Sequence, residues 1–149
     1  MASRKPLVVG ADGRPQQLQT GDTLNAAVSE TETQQWTNGD VAPHIIGDVV
    51  YIFTADTVKL AQANAAATAE AIAIAAATIA PAAVGSYQTS GTLAGLTGLV
   101  AGSTYFLSPT VPGGTTTTVP TAAGQWVVEI GKAISTTELL IRIREPIAL

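Results

Sequence analysis

Cysteine is absent from this chain of 149 residues, and histidine and methionine occur once each. Disulfide bonds and thiolate metal sites are therefore excluded, and a metal site would have to combine one imidazole with carboxylates. The single histidine, His44, has Asp40 and Asp48 nearby in the sequence, but no third ligand or nucleophile follows at a defined spacing. We expect His44 to be a polar residue at the edge of a loop, with no metal and no cofactor bound.

Charged residues are also scarce, at 12% of the chain, about half of their usual share in a soluble domain. Between Lys59 and Glu129 the only charged residue is Glu70. A monomer with so long an uncharged stretch would be weakly solvated, so we expect other copies of the chain or a partner to cover much of this surface. Lysine and arginine are few and scattered, and the net charge is −4. No basic patch exists to release counterions from phosphates, so no nucleic-acid partner is expected.

Long hydrophobic runs are missing as well, although 46% of the residues are hydrophobic. Much of this fraction is alanine and only 5% of the chain is aromatic, which predicts a thin core. The most apolar stretch, residues 71–77, is far shorter than the ~20 residues that span a bilayer. We therefore expect no association with a membrane.

Catalytic and phosphate-binding motifs are not found. The glycines Gly124 and Gly131 are too far apart for a phosphate-binding loop, and no serine or threonine follows Lys132. The carboxylates are scattered, and most lie where a turn or a strand end is predicted. We predict no catalytic, cofactor-binding or metal-binding residues and no enzymatic activity.

The last third of the chain shows the clearest pattern, an alternation of apolar and polar residues with period two. Residues 126–130 alternate, and in the final stretch Leu139, Ile141 and Ile143 share one face of a strand. Residues 135–137 form a short loop between the two stretches. The pattern predicts a β-hairpin.

Residues 44–54 predict a strand pair or one bent strand, with the bend at Gly47-Asp48. Apolar side chains occur on both of its faces, which is typical of a strand that is buried on both sides. Residues 84–92 predict another strand, which ends at Gly91. In residues 93–102 three leucines are spaced three apart, and we expect one helical turn that packs them under a sheet.

Residues 56–80 leave two alternatives open. Asp56 is a good N-cap and alanine favours helix, so a long helix in a trimeric bundle is one possibility. The apolar pairs Val58/Leu60 and Ile72/Ile74 are two residues apart, which favours strands. We expect at most a helical turn or two around residues 60–67 and then a strand over residues 69–79.

The N-terminal segment begins with a short apolar run and a glycine-rich turn, followed by a polar stretch, with apolar side chains at Leu7, Val8, Val9 and Leu18. It predicts a small hairpin or an extended arm. Residues 25–42 are polar and predict a linker. The isolated Trp36 could anchor the chain in a partner's pocket or cap its own β-domain.

Together these patterns predict a mainly β fold: a compact antiparallel β-barrel or sandwich with an N-terminal extended arm or hairpin and at most one short helix. The predicted division is residues 1–43 for the arm and linker and residues 44–149 for the β-domain.

The C-terminal part of the chain resembles a β-domain that recurs in virion proteins of tailed bacteriophages. The resemblance is carried by YFLS, a Pro/Gly turn, a threonine strand closed by proline, GQWVVEIGKA, and TELLIRI followed by EPI. The segment PLVVGADGRPQQLQTGDTL is similar to N-terminal segments of phage fibre and head-attached proteins. The resemblance implies a capsid decoration or cement protein, a homotrimer that contacts the major capsid protein or another virion protein. It would be located in the virion, which is assembled in the host cytoplasm. The implied partner-binding residues are Leu7, Val8, Val9, Leu18 and Trp36.

Two other functions fit the same resemblance. The chain could be a head-fibre, tail-fibre or adaptor protein, which differs from a decoration protein in its site of attachment. It could also be a receptor- or carbohydrate-binding module on the virion, in which residues 115–118, Tyr87 and Tyr105 would face a glycan.

Overall fold

A computed structural model describes residues 7–9, 15–17 and 31–149 of the chain. The two N-terminal stretches are β1 (Leu7–Val9) and β2 (Pro15–Gln17), which pair antiparallel with Leu7 opposite Gln17. This pairing is the geometry of the predicted hairpin. Leu18, one of the candidate partner-binding residues, lies outside the described residues.

A closed five-stranded barrel follows. Its strands are β3 (Thr33–Asn38), β4 (Val49–Thr54), β5 (Thr57–Leu60), β6 (Ala71–Ala75) and β7 (Val84–Gln88). They are hydrogen-bonded in the order β3-β5-β4-β6-β7, and β7 pairs back onto β3. The pair β3/β5 is parallel and the other pairs are antiparallel. The one helix among the described residues, α1 (Ala66–Ala69), precedes β6.

The second half of the chain forms an antiparallel sheet beside the barrel. Its strands are β8 (Gly91–Ala94), β9 (Thr104–Leu107), β10 (Thr115–Thr116), β12 (Glu129–Ala133) and β13 (Glu138–Ile141), in the order β10-β9-β12-β13-β8. A separate short pair joins β11 (Trp126–Val127) to β14 (Ile147–Ala148).

Two hydrophobic clusters hold these layers together. The larger cluster lies between barrel and sheet and joins Val49 and Ile74 to Leu107 and Ile130. The smaller one lies within the barrel and includes Val50, Val58, Ala73 and Tyr87. Successive side chains of a strand point to opposite faces, so Val49 packs into the first cluster and Val50 into the second. One strand therefore links the two parts of the core.

The mainly β fold with a barrel and one short helix is confirmed. The predicted C-terminal hairpin is confirmed in its antiparallel pairing, β12 with β13, and both Leu139 and Ile141 are buried. Its first strand is shifted from the predicted residues 126–130 to Glu129–Ala133, since Trp126 and Val127 pair with β14. The three leucines of residues 93–102 do pack against the larger cluster, but no helical turn forms there.

The prediction of a strand buried on both faces is confirmed only for the first half of β4. Ile52 and Phe53 are about half exposed, beyond the point where the pairing of β4 with β6 stops. The register with β5 also shifts between Ile52 and Thr54. The Lys59 amino group lies 3.9 Å from the centre of the Phe53 ring and covers part of it.

The strand interpretation of residues 56–80 is the right one, and the long helix is wrong. Asp56 has a φ of 55° in the turn between β4 and β5, so it does not cap a helix. A register shift in the β4/β6 pair places Ile72 against the smaller cluster and Ile74 in the larger one. The expectation that these two isoleucines share a face is therefore wrong, because a bulge interrupts the alternation.

The prediction of a linker over residues 25–42 is wrong for residues 33–38. These residues form β3, which pairs with β5 and β7 and closes the barrel. Gln34 and Gln35 point to opposite faces and both are exposed, so the first half of the strand buries little on either face and its polar composition resembles that of a loop.

Candidate functional site

A chain of buried polar side chains lies at the end of the barrel where β3 leads into residues 39–43. His44 is fully buried, and its backbone pairs with that of Ile79. Its Nδ1 lies 2.9 Å from the Tyr87 hydroxyl and its Nε2 lies 2.9 Å from Oδ2 of Asp40. A carboxylate can only accept, so a neutral His44 donates from Nε2 to Asp40 and accepts the Tyr87 proton at Nδ1.

Asn38 and Asp40 fix the loop around this histidine. The Asn38 side-chain amide donates to the carbonyl oxygens of Ala42 and Ile79, at 2.9 and 3.0 Å. The backbone N–H of Leu60 donates to Oδ2 of Asp40 at 2.8 Å. The loop is therefore tied to two strands of the barrel and to the segment that precedes β7.

The network is suited to holding structure, since a substrate has no access to its central groups. His44 and Tyr87 are fully buried and only Asp40 reaches solvent. His44 does lie at the edge of the loop 39–43, as expected, but its full burial was not predicted. Its burial depends on Tyr87, which lies far along the sequence, so the spacing of Asp40 and His44 alone gave no signal of it.

The surroundings raise the pKa values of two acids near this network. Burial raises the pKa of Tyr87 to about 12, and the Asp40 and Asp48 carboxylates add to the effect. Burial also raises the pKa of Asp48, while the hydrogen bond from the Ile45 N–H and the nearby His44 oppose that rise. Both groups therefore favour their neutral forms more than they would in an unfolded chain.

A second site is a groove of about 260 Å³ at the far edge of the sheet, next to β10. It runs between residues 108–110 and residues 116–121, with Gln125 at its border. The lining consists of hydroxyl, amide and apolar groups, and none of the lining residues is charged. The threonine run of residues 115–118, which the sequence marked as a possible ligand face, contributes Thr116 and Thr118.

The two tyrosines proposed to face a glycan do not do so. Tyr87 and Tyr105 are both buried, and the Tyr105 hydroxyl accepts a hydrogen bond from the N–H of Val100. The carbohydrate-binding interpretation is therefore wrong for these two residues. The groove residues other than the threonines, chiefly Gln125, were not singled out by sequence reasoning because no motif marks them.

The candidate partner-binding residues that the structure describes lie on two different strands. Leu7, Val8 and Val9 make up β1, whereas Trp36 lies in β3. The Trp36 ring centre is 6.0 Å from that of Tyr87, and Trp36 packs against the smaller cluster. This packing favours the interpretation that Trp36 caps its own barrel, and partner binding by these residues stays a prediction.

Within the part of the chain that the structure describes, no three His, Asp or Glu side chains come together in a way that could hold a metal ion. No helix in the same part has the length and apolar character needed to cross a membrane. Comparison with known proteins found no matching family model, no similar curated protein and no similar solved structure.

Proposed function

We propose that this chain is a structural protein of a tailed-bacteriophage virion, a homotrimeric decoration or cement protein that binds the major capsid protein or another virion protein. The observation that carries the proposal is the amount of apolar surface on a weakly charged chain. Eleven large hydrophobic side chains of residues 31–149 are exposed, most of them in loops, in both halves of this part of the chain. Such a surface favours association, and the sequence resemblance supplies the phage particle as the place for it.

One exposed apolar surface is well defined. We name the barrel-end patch as the exposed residues Val41, Ala42, Pro43, Ala80, Pro81, Ala82 and Val84. Val41 is 99% exposed and Val84 is 65% exposed. The Asn38 hydrogen bonds to Ala42 and Ile79 hold the two loops of the patch side by side.

The barrel-end patch fits contact between copies of this chain. The chain carries a net charge of −4, and contact through an uncharged surface keeps the like charges of identical copies farther apart than contact through a charged surface. The two loops of the patch are already held in place, so less conformational entropy is lost when copies associate. The threefold symmetry comes from the resemblance alone.

The proposed mechanism is mechanical. Once one subunit of the oligomer has bound the shell, the contacts of its other subunits form within the same complex. The oligomer is therefore released only when all of these contacts break together. If the oligomer binds the assembled shell but not its free subunits, the binding also stabilises the shell by mass action. The residues of the proposed arm, 1–24, would provide the attachment.

Sedimentation equilibrium of the full chain at micromolar concentration tests the oligomer, and mass spectrometry of purified particles of its phage tests the location. We expect a trimer and a fixed ratio of this chain to the major capsid protein. Val41→Asp should weaken self-association, whereas Thr97→Asp, at an exposed site outside the patch, should not. A stable monomer with no place in the particle would contradict the proposal.

A further inference from the structure

The groove beside β10 has fixed walls. Ser108 is buried, and its hydroxyl oxygen accepts from the backbone N–H groups of Thr110 and Val111 at 3.2 and 3.0 Å. The Gln62 side chain donates to the Pro109 carbonyl oxygen at 3.0 Å, which anchors this wall to the chain segment after β5. A ligand would therefore meet a wall that is already ordered.

The opposite wall is held in a similar way. The Thr118 N–H donates to the Thr116 hydroxyl at 3.1 Å, and the Ala122 N–H donates to Oε1 of Gln125 at 3.3 Å. The Gln125 carbonyl oxygen also accepts from the N–H of Leu149 at 3.1 Å. Gln125 thus joins the groove wall to the C-terminal residues.

Polar groups remain for a ligand after these bonds are made. Among the described residues, the Gln125 side-chain NH₂ and the hydroxyls of Thr118 and Thr121 have no protein partner. The NH₂ only donates, whereas each hydroxyl both donates and accepts. Val119, Pro109 and the buried Pro120 add apolar surface between them.

This lining selects a class of ligand. No charged side chain is present to pair with a phosphate, a carboxylate or a cation, so a charged ligand would lose its hydration without compensation. The volume of about 260 Å³ lies just below the ~300–1,000 Å³ of typical ligand pockets, which limits the ligand to about one ring. Hydroxyl and amide groups interleaved with apolar contacts match a ring that carries both hydroxyls and C–H faces.

We propose that this groove is a binding site for a neutral polyhydroxylated ligand of hexose size. The proposal does not depend on the virion role, because the groove is built from residues of one chain and lies apart from the barrel-end patch. The site is distinct from the two buried tyrosines, which contribute nothing to it.

The test is a titration of the isotope-labelled full chain, followed by amide resonances in two-dimensional NMR. The probes are methyl α-D-glucopyranoside and methyl β-D-galactopyranoside, with inorganic phosphate as the charged probe. We expect millimolar binding by at least one glycoside, as suits a shallow site, with shifts at residues 108–110, 116–121 and 125. Inorganic phosphate should leave these resonances unchanged.

Two variants identify the polar contacts. Gln125→Glu keeps an oxygen acceptor for the Ala122 N–H but removes the amide donor, and Thr118→Val removes a hydroxyl at nearly constant volume. Each should weaken glycoside binding by about three- to tenfold. The matched controls Gln35→Glu and Thr97→Val change exposed residues outside the groove and should bind as the native chain does.

Three results would overturn the proposal: no shifts with either glycoside, shifts confined to residues outside the groove, or binding that both groove variants retain in full. Because amide spectra also report folding, a variant that simply unfolds is recognised directly and is replaced by Thr121→Val, which changes another exposed hydroxyl of the same wall.

Discussion

Tyr87 connects the apolar and polar parts of the barrel. Its ring centre lies 6.0 Å from that of Trp36 and 5.9 Å from that of His44, and its hydroxyl satisfies the His44 Nδ1. No buried side-chain nitrogen or oxygen among the described residues lacks a hydrogen-bond partner. Removal of one member of the network therefore leaves another polar atom buried and unpaired.

Tyr87→Phe should lower the free energy of unfolding by about 1–3 kcal/mol, because the buried His44 nitrogen loses its partner while the packed ring is kept. Urea unfolding at pH 7 measures the change. Tyr51→Phe is the matched control, since Tyr51 is only partly buried and makes no side-chain hydrogen bond among the described residues. Equal losses in the two variants would contradict the role given to the Tyr87 hydroxyl.

The same variant should alter the response to alkali. The pKa of Tyr87 is raised to about 12 in the folded chain from 10.0, so its contribution to stability is complete below pH 10 and is lost as pH rises through 12. Between these values the native chain should lose about 1.4 kcal/mol per pH unit from this group. Tyr87→Phe should lack that part of the slope in urea unfolding curves.

Asp48→Asn should stabilise the fold at pH 7. The pKa of Asp48 is raised, so the folded chain holds its proton more tightly than the unfolded chain, and stability falls as pH rises through the folded pKa. Asparagine removes the charge of this half-buried side chain and keeps an oxygen to accept from the Ile45 N–H. The urea midpoint of the variant should exceed that of the native chain at pH 7 and approach it at pH 3. A lower midpoint at pH 7 would show that the charge itself is needed.

At the scale of elements, β12 has no room for a side chain at Gly131, where it pairs with β13. A Cβ on Gly131 would collide with the backbone carbonyl oxygen of Leu140 on β13, which cannot move without breaking the pair. Gly131→Ala should therefore cost about 1–3 kcal/mol or more. Lys132→Ala changes the next, exposed residue and should be close to neutral in the same thermal unfolding assay.

The strand β13 allows a comparison of its buried and exposed faces. Ile141 is buried in the larger cluster, so Ile141→Asp places an unpaired charge there and should cost roughly 3–5 kcal/mol. Arg142→Ser alters the exposed neighbour and should cost well under ~1 kcal/mol. Denaturant unfolding of both variants is the measurement, and similar losses would mean that the two faces are assigned incorrectly.

Elements with regular alternation could be predicted from the sequence, and interrupted ones could not. β13 was predicted because Leu139 and Ile141 keep period two and share the core face. The strand before it was predicted from Val128 and Ile130, but a register shift follows Glu129, and the pairing with β13 lies at Gly131–Ala133. The bulge at Ile72 interrupts the alternation of faces along β6. It could not be predicted, because nothing in a run of alanine and isoleucine indicates where a bulge lies. The candidate sites were harder still, since His44 and Tyr87 meet only in the folded barrel.

For the whole molecule, deletion of residues 1–24 should leave the barrel and sheet folded but abolish binding to phage particles, since the proposed arm makes the attachment. Co-sedimentation with particles measures binding, and circular dichroism checks the fold. The full chain with Leu7→Asp serves as a second variant that keeps the length of the arm. If the truncated chain still occupies particles fully, the anchoring role of the arm is wrong.

The position of β3 in the barrel, between β5 and β7, has a consequence for synthesis. β3 is made before all its partners, and it stays unpaired until β5 and then β7, about fifty residues later, have left the ribosome. An apolar strand that waited so long would invite aggregation with neighbouring nascent chains. The glutamines and threonines of β3 keep this segment hydrated while it is unpaired. The polar composition that makes the strand resemble a linker therefore also reduces aggregation until the barrel closes.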